Sequence, residues 1–182
     1  MKKLIYILIL AFSTTLFSSC EKDDSLDPRA PIVTGLYARL DITNKVISPL
    51  DLQNSYFGGI LTSPSGKIVK YNLYVKRRDG FGVASEFVLI KSITSFPFDL
   101  KIYVADIATA LNVPASSLSF GDEFYFWAEA FDADGNRSDY YSLSSTVQGA
   151  PGMKQAFRFR TTIYDYSTDP NGLAEYDNYV NP

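Results

Sequence analysis

The stretch Ile68-Val69-Lys70-Tyr71-Asn72-Leu73-Tyr74-Val75-Lys76-Arg77 puts Val69, Tyr71, Leu73 and Val75 on one side of an extended chain and Lys70, Asn72, Tyr74 and Lys76 on the other. Alternation with a period of two is the signature of a half-buried β-strand. Arg78-Asp79-Gly80 follows with turn chemistry, and Phe87-Val88-Leu89-Ile90-Lys91-Ser92-Ile93 returns as a β-rich run. The two runs are expected to pair as a hairpin.

Working outward from this hairpin, further strands are expected at residues 33–42, 56–62, 98–103, 123–131, 140–147 and 155–163. Many short strands between turns indicate an all-β sandwich. One stretch reads as helix: Ala105-Asp106-Ile107-Ala108-Thr109-Ala110-Leu111 is rich in helix formers, carries an acid in its first turn, and is stopped by Asn112 and Pro114. It is expected to be a short crossover between strands. No internal repeat and no low-complexity tract interrupts the pattern.

Composition removes several classes of function. The 182 residues hold 17 Lys and Arg against 20 Asp and Glu, no His, one Cys, one Trp, 13 Tyr and 13 Phe. Without His there is no Ser-His-Asp or Cys-His triad, no His-ligated zinc and no imidazole acid–base catalysis. A single Cys rules out an intrachain disulfide framework and a multi-thiolate cluster. A net charge of -3 argues against a nucleic-acid partner, which needs a basic surface.

The N-terminus has the form of a signal peptide. Met1-Lys2-Lys3 is a short cationic segment, residues 4–12 form an unbroken apolar run, and Ser13-Thr14-Thr15-Leu16-Phe17-Ser18-Ser19-Cys20 follows. The apolar stretch falls short of the roughly 20 residues of a membrane-spanning helix. Leu16-Phe17-Ser18-Ser19-Cys20 resembles a bacterial lipobox, with Phe17 in place of the usual Leu and Ser19 in place of the commoner Gly or Ala. The resemblance implies cleavage after residue 19 and acylation of Cys20; the alternative is an ordinary secretory signal. Glu21-Lys22-Asp23-Asp24-Ser25 resembles the surface-export signal of outer-membrane lipoproteins in Gram-negative polysaccharide degraders, and equally fits a solvated tether. The expected organisation is a signal over 1–19, a tether over 20–30, the sandwich over 31–163 and a polar, Tyr-rich tail over 164–182, in which Asp169-Pro170-Asn171-Gly172 marks a turn. The chain from Cys20 onward has 163 residues and a formal charge of -5.

Phe124-x-Phe126-x-Ala128-x-Ala130, followed by Asp132-Ala133-Asp134-Gly135-Asn136-Arg137-Ser138, resembles strand F and the F–G turn of a fibronectin type III domain, with Phe124 where that fold usually has Tyr. Phe98-Asp99-Leu100, residues 105–113 and Leu118-x-x-Gly121-Asp122-x-Phe124 resemble small lipoproteins associated with SusC/SusD-type glycan importers, related to the N-terminal domain of SusE-type proteins. The resemblance covers about residues 31–163. It implies an Ig-like, fibronectin type III-like sandwich, an outer-membrane location facing the cell exterior, and polysaccharide and a SusC/SusD-type transporter as partners. SusE-type chains normally continue into carbohydrate-binding domains that are not found here.

If Phe124, Phe126, Ala128 and Ala130 face the core, Tyr125, Trp127 and Glu129 face outward. An outward Trp and Tyr beside an acid suit a sugar: the rings stack on the apolar C–H face and the carboxylate accepts hydroxyl hydrogen bonds. The alternative is that helix, tail or partner covers these aromatics. Tyr71 and Tyr74 are candidates to join the same surface. Asp132-x-Asp134-x-Asn136-x-Ser138 has the two-residue spacing of half a calcium loop, but Gly135 and Leu143 stand where such a loop needs other residues, and a hairpin turn is the favoured reading. Asp122, Glu123 and Glu129 are the acids available for glycoside hydrolysis; a lone sandwich offers them little cleft, and the expectation is a non-enzymatic protein without cofactor. Lys76-Arg77-Arg78 beside Asp79 reads as a solvated hairpin tip, and Gly58-Gly59 as a bulge or kink.

Overall fold

The longest strands set the frame. In the computed structural model, which describes residues 35–79, 81–150, 152–153 and 156–165, the strand β6 (Glu123–Phe131) alternates buried and half-buried residues without a break. The other strands are β1 (Arg39–Asn44), β2 (Tyr56–Thr62), β3 (Lys70–Arg78), β4 (Val88–Ile93), β5 (Phe98–Tyr103), β7 (Arg137–Ser138) and β8 (Arg158–Thr162). Helix α1 (Val104–Leu111) follows β5, and a short helix α2 (Ser145–Gly149) precedes β8.

The strands form two antiparallel sheets. One has the order β1-β2-β5; the other has the order β4-β3-β6, with β8 and β7 both on the far side of β6. β8 pairs with the first half of β6, Glu123 to Trp127, and β7 with its end, Ala130 and Phe131. The expected hairpin of β3 and β4 is present, with a register shift at Leu73/Tyr74.

The inner faces meet through aromatic and aliphatic side chains. Phe57 of the first sheet stacks on Phe126 and Phe159 of the second, with ring centroids 6.0 and 5.1 Å away, and Phe126 stacks on Phe159 at 4.6 Å. Offset stacking of this kind adds about 0.5–1.5 kcal/mol per pair beyond the area buried. Leu40, Leu61, Leu100 and Ile102 complete one wall; Leu73, Val75, Phe124, Ala128 and Ala130 complete the other. The architecture is an all-β sandwich.

Gly58 and Gly59 lie on the central strand of the first sheet, where an added Cβ would collide with the carbonyl oxygens of Leu100 and Asp41. The irregularity expected there is on the partner strand: β1 shifts register between Ile42 and Asn44, opposite the pair, and Thr43 Oγ1 donates to Gly58 O at 3.3 Å. Bulges of this sort bend an edge strand.

Helix α1 begins one residue earlier than expected. The Tyr103 N–H donates to the Asp106 carboxylate at 3.0 Å, and Asn112 closes the helix in the left-handed conformation at φ 54°. Val104, Ile107 and Ala108 face the core.

Five expectations are corrected. Residues 140–147 do not form a strand: Asp139 caps a 3-10 turn at Tyr140–Ser142, Ser144 caps α2, and Gln148 Nε2 ties the two through the Tyr140 and Leu143 carbonyls. Asp and Ser at these positions satisfy free N–H groups, which makes a turn more favourable than an extended edge. Helix α1 is therefore not the sole helix. Val69 is 45% exposed, because the strand starts at Lys70 and Ile68 fills the core position instead. The first strand begins at Arg39, although Leu36 and Ala38 before it are buried.

The fifth correction concerns Arg77, read from sequence as part of a solvated tip. Its Nη2 lies 2.9 Å from Asp122 Oδ2 and donates to Ser117 O at 2.8 Å, while the Ser119 N–H donates to the same carboxylate at 2.9 Å. The Asp122 side chain is 2% exposed and that of Arg77 21%. Removing one member of a buried pair strands the other charge. Arg77→Met is therefore expected to lower the unfolding free energy by about 3 kcal/mol, read from urea denaturation of the full chain; a loss below about 1 kcal/mol would place the pair with surface salt bridges.

Candidate functional site

The outer face of the five-stranded sheet is built by the same alternation that builds the core. With Phe124, Phe126, Ala128 and Ala130 buried, Tyr125, Trp127 and Glu129 point to the other side and are half-buried. Strand register arranges their neighbours in rows. Leu89, Tyr74, Trp127 and Arg158 follow one another across β4, β3, β6 and β8, and Lys76, Tyr125 and Arg160 make the next row.

Trp127 is the centre of an aromatic group. Tyr140 and Tyr141, both in the 3-10 turn, stand 6.5 and 5.5 Å from its ring and 5.4 Å from each other. Tyr141 is 76% exposed, so this turn flanks the indole while presenting a second ring to solvent. Tyr74 is the cross-strand partner of Trp127. Its hydroxyl donates to Glu129 Oε2 at 3.1 Å; burial first, and then that hydrogen bond and the carboxylate charge, push the phenol above its ordinary pKa.

Glu129 is also held by Arg137, whose Nη1 donates to Oε1 at 3.0 Å. Each carboxylate oxygen retains acceptor capacity, so Glu129 both fixes Tyr74 and keeps lone pairs for a ligand hydroxyl. Tyr125 is more enclosed. Its hydroxyl donates to Glu123 Oε2 at 2.8 Å, and Lys76 Nζ and the Arg160 guanidinium lie 5.6 and 5.9 Å from its ring centre, within cation–π range. The sequence-predicted trio thus lies on one strand, with Trp127 in ring contact with Tyr140 and Tyr141, and Tyr125 faced by Lys76 and Arg160.

The other predicted positions separate. Tyr74 joins the surface, but Tyr71 does not: it is fully buried on the opposite side of β3, its hydroxyl donates to Ala156 O, and burial pushes its pKa far up. Asp122 is taken by Arg77. Glu123 and Glu129 both lie on the outer face of β6, but six residues apart, about 20 Å along a strand. The acids of a glycosidase stand within about 10 Å of each other. Cys20, the tether and residues 166–182, with the turn expected at Asp169 to Gly172, lie outside the described residues.

At the end of β6, Asp132 organises a turn. Its Oδ1 accepts from the Asp134 and Asn136 N–H groups at 3.0 and 2.9 Å, and Oδ2 accepts from Asn136 Nδ2 at 2.9 Å. The Asp132 carboxylate is therefore occupied within the turn, and Ser138 is buried in β7. Among the described residues no group of three His, Cys, Asp or Glu side chains is placed to hold a metal.

Sequence reading missed Tyr141, Arg158 and Arg160; it set Lys76 on the outer side of its strand but not beside Tyr125. Arg158-Phe159-Arg160 carried a signal, since an aromatic between two cations is a short alternation. Tyr141 gave none, because its place depends on a turn whose packing on β6 is not local. No family model matches the chain, and no curated protein matches it.

Two outcomes follow from this geometry. The hydrogen bond from Asn136 holds the Asp132 carboxyl below its ordinary pKa, so the turn's contribution to stability is present above the ordinary value and is lost as pH falls through the folded one. Asn136→Ala should move that titration upward when followed by NMR; an unmoved midpoint would assign the shift elsewhere. Trp127 is the sole tryptophan, and Tyr141→Ala should raise its collisional quenching by acrylamide, whereas unchanged quenching would mean that Tyr141 does not shield the indole.

Proposed function

We propose that the chain is a non-enzymatic, surface-displayed outer-membrane lipoprotein whose fibronectin type III-like sandwich assists glycan capture. The observation that carries this reading is the row of Tyr74 and Trp127 flanked by Tyr141 on one open sheet face, with Glu129 beside it. Exposed rings recruit the apolar face of a pyranose, and the neighbouring carboxylate and phenols bond its hydroxyls.

The fold type supports the same reading. In an Ig constant-type sandwich the fourth strand joins the first sheet, whereas here β4 pairs with β3, which leaves three strands facing the larger sheet. The lipobox-like residues ending at Cys20 and the acidic stretch after it support anchoring and export, and an acylated N-terminus with several chains holds a protein firmly on a membrane. Resemblance to SusC/SusD-associated lipoproteins supports a glycan importer as the neighbouring complex.

A second reading is a bracing subunit of such an importer that touches no sugar. One observation favours it: around the β3–β4 hairpin Phe81 is 97% exposed, and Val83, Phe87 and Leu89 are exposed with it. Apolar patches of this kind mark protein contacts. Copurification with a transporter in the absence of glycan would favour the brace.

The glycan reading predicts that detergent-solubilised full chain is retained on at least one polymer of an immobilised polysaccharide panel. Trp127→Ala should weaken retention roughly tenfold, equivalent to about 1.4 kcal/mol. Undiminished retention of the variant would remove Trp127 from the site.

A further inference from the structure

The face that carries Trp127 is basic in a chain whose net charge is -3. Outward positions of β3, β6, β7 and β8 hold Lys70, Lys76, Arg78, Arg137, Arg158 and Arg160, against Glu123 and Glu129. The two acids are already engaged. Glu123 meets Arg160 at 3.0 Å and Arg78 at 3.7 Å, and Glu129 meets Arg137 at 3.0 Å.

Three cations are left over. Among the described residues Lys70, Lys76 and Arg158 meet no carboxylate, and their partners are ring faces: Lys70 over Phe131 at 5.9 Å, Lys76 over Phe87 at 4.9 Å as well as over Tyr125, and Arg158 over Tyr140 at 5.5 Å. An aromatic face holds a cation in place without cancelling its charge. Lys76 and Arg158 stand on the strands either side of β6, and Arg158 is the direct cross-strand partner of Trp127. Two strand spacings across and two residues along separate them by about 12 Å, a span that brackets the indole.

Resting on the glycan reading above, we propose that this platform takes an acidic polysaccharide, its sugar ring on Trp127 and its carboxylate or sulfate groups on Lys76 and Arg158. Neutral sugars would leave both cations without a counter-charge. Nucleic acid is the poorer fit, because a backbone with one charge per ~1.7 Å of duplex would also meet Glu123 and Glu129, whereas a polysaccharide carries its acids more sparsely and offers the C–H face that the indole stacks on. Exposed charges of this kind act at short range and are screened by salt.

The test uses detergent-solubilised full chain on immobilised polygalacturonate, on the same polymer after methyl esterification, on dextran sulfate with dextran as its neutral counterpart, and on duplex DNA. Expected is binding to an acidic polymer at least tenfold tighter than to its neutral counterpart, weakening as salt rises; polygalacturonate or dextran sulfate as the tighter ligand identifies carboxylate or sulfate. Lys76→Gln with Arg158→Gln should abolish the preference for acid over neutral polymer, with an unchanged melting temperature as the control for folding. If that variant fails to fold, the acid-to-neutral comparison on the unaltered chain still decides. Equal binding to acidic and neutral polymers would overturn the inference and leave the glycan reading standing. DNA held as tightly as any acidic glycan would overturn it as well, and retention on no polymer would remove both.

Discussion

Along β6 the pleat permits one division of labour only. Successive side chains must point to opposite faces, so burying Phe124, Phe126, Ala128 and Ala130 obliges Tyr125, Trp127 and Glu129 to point outward. Slipping the register by one residue would send an acid and an indole into the core and four small or aromatic side chains to the surface. The Phe57, Phe126 and Phe159 stack on the inside makes that slip costly, because it joins the two sheets at the very residues whose neighbours form the outer platform. Core and candidate site are two readings of one strand.

The ends of the central strands are fixed by polar contacts that the hydrophobic pattern does not supply. Arg77 and Asp122 lock the end of β3 to the turn that launches β6, with Ser117 O accepting from Arg77 Nη2 and the Ser119 N–H donating to Asp122, while the buried Arg77 Nε is left without a partner. On the other side Tyr71 reaches across the core to the Ala156 carbonyl, tying β3 to the segment that enters β8. Burying such groups is costly unless they are paired. Their geometry brings β3, β6 and β8 together so that Tyr74, Trp127 and Arg158 share a row.

Much of this was legible in the residues, and what was not has identifiable causes. The bounds of β2, β5 and β6 and the pairing of β3 with β4 follow from local alternation and turn chemistry. Residues 140–147 misled, because Tyr and Leu spaced through a Ser-rich stretch look extended until Asp139 and Ser144 are recognised as caps. Arg77 looked like part of a solvated cluster because its partner lies 45 positions away. Trp127, Tyr125 and Glu129 were placed on one face from sequence, but Tyr141, Lys76 and Arg158 become their neighbours only through strand order, which a single chain does not reveal.

The physical picture is of a sheet face on which aromatic rings stand beside cations that meet no carboxylate among the described residues, both set in rows by strand register. Because Trp127 is the sole indole, its emission reports on that face and nothing else. The most direct measurement is the emission of Trp127, excited selectively, while the full chain is titrated with the acidic and neutral polysaccharides of the panel and binding is followed in parallel. The account predicts a saturable change in intensity or wavelength, with a midpoint equal to that of binding. Binding that leaves the indole emission unaltered would place the contact elsewhere and contradict the assignment of this face.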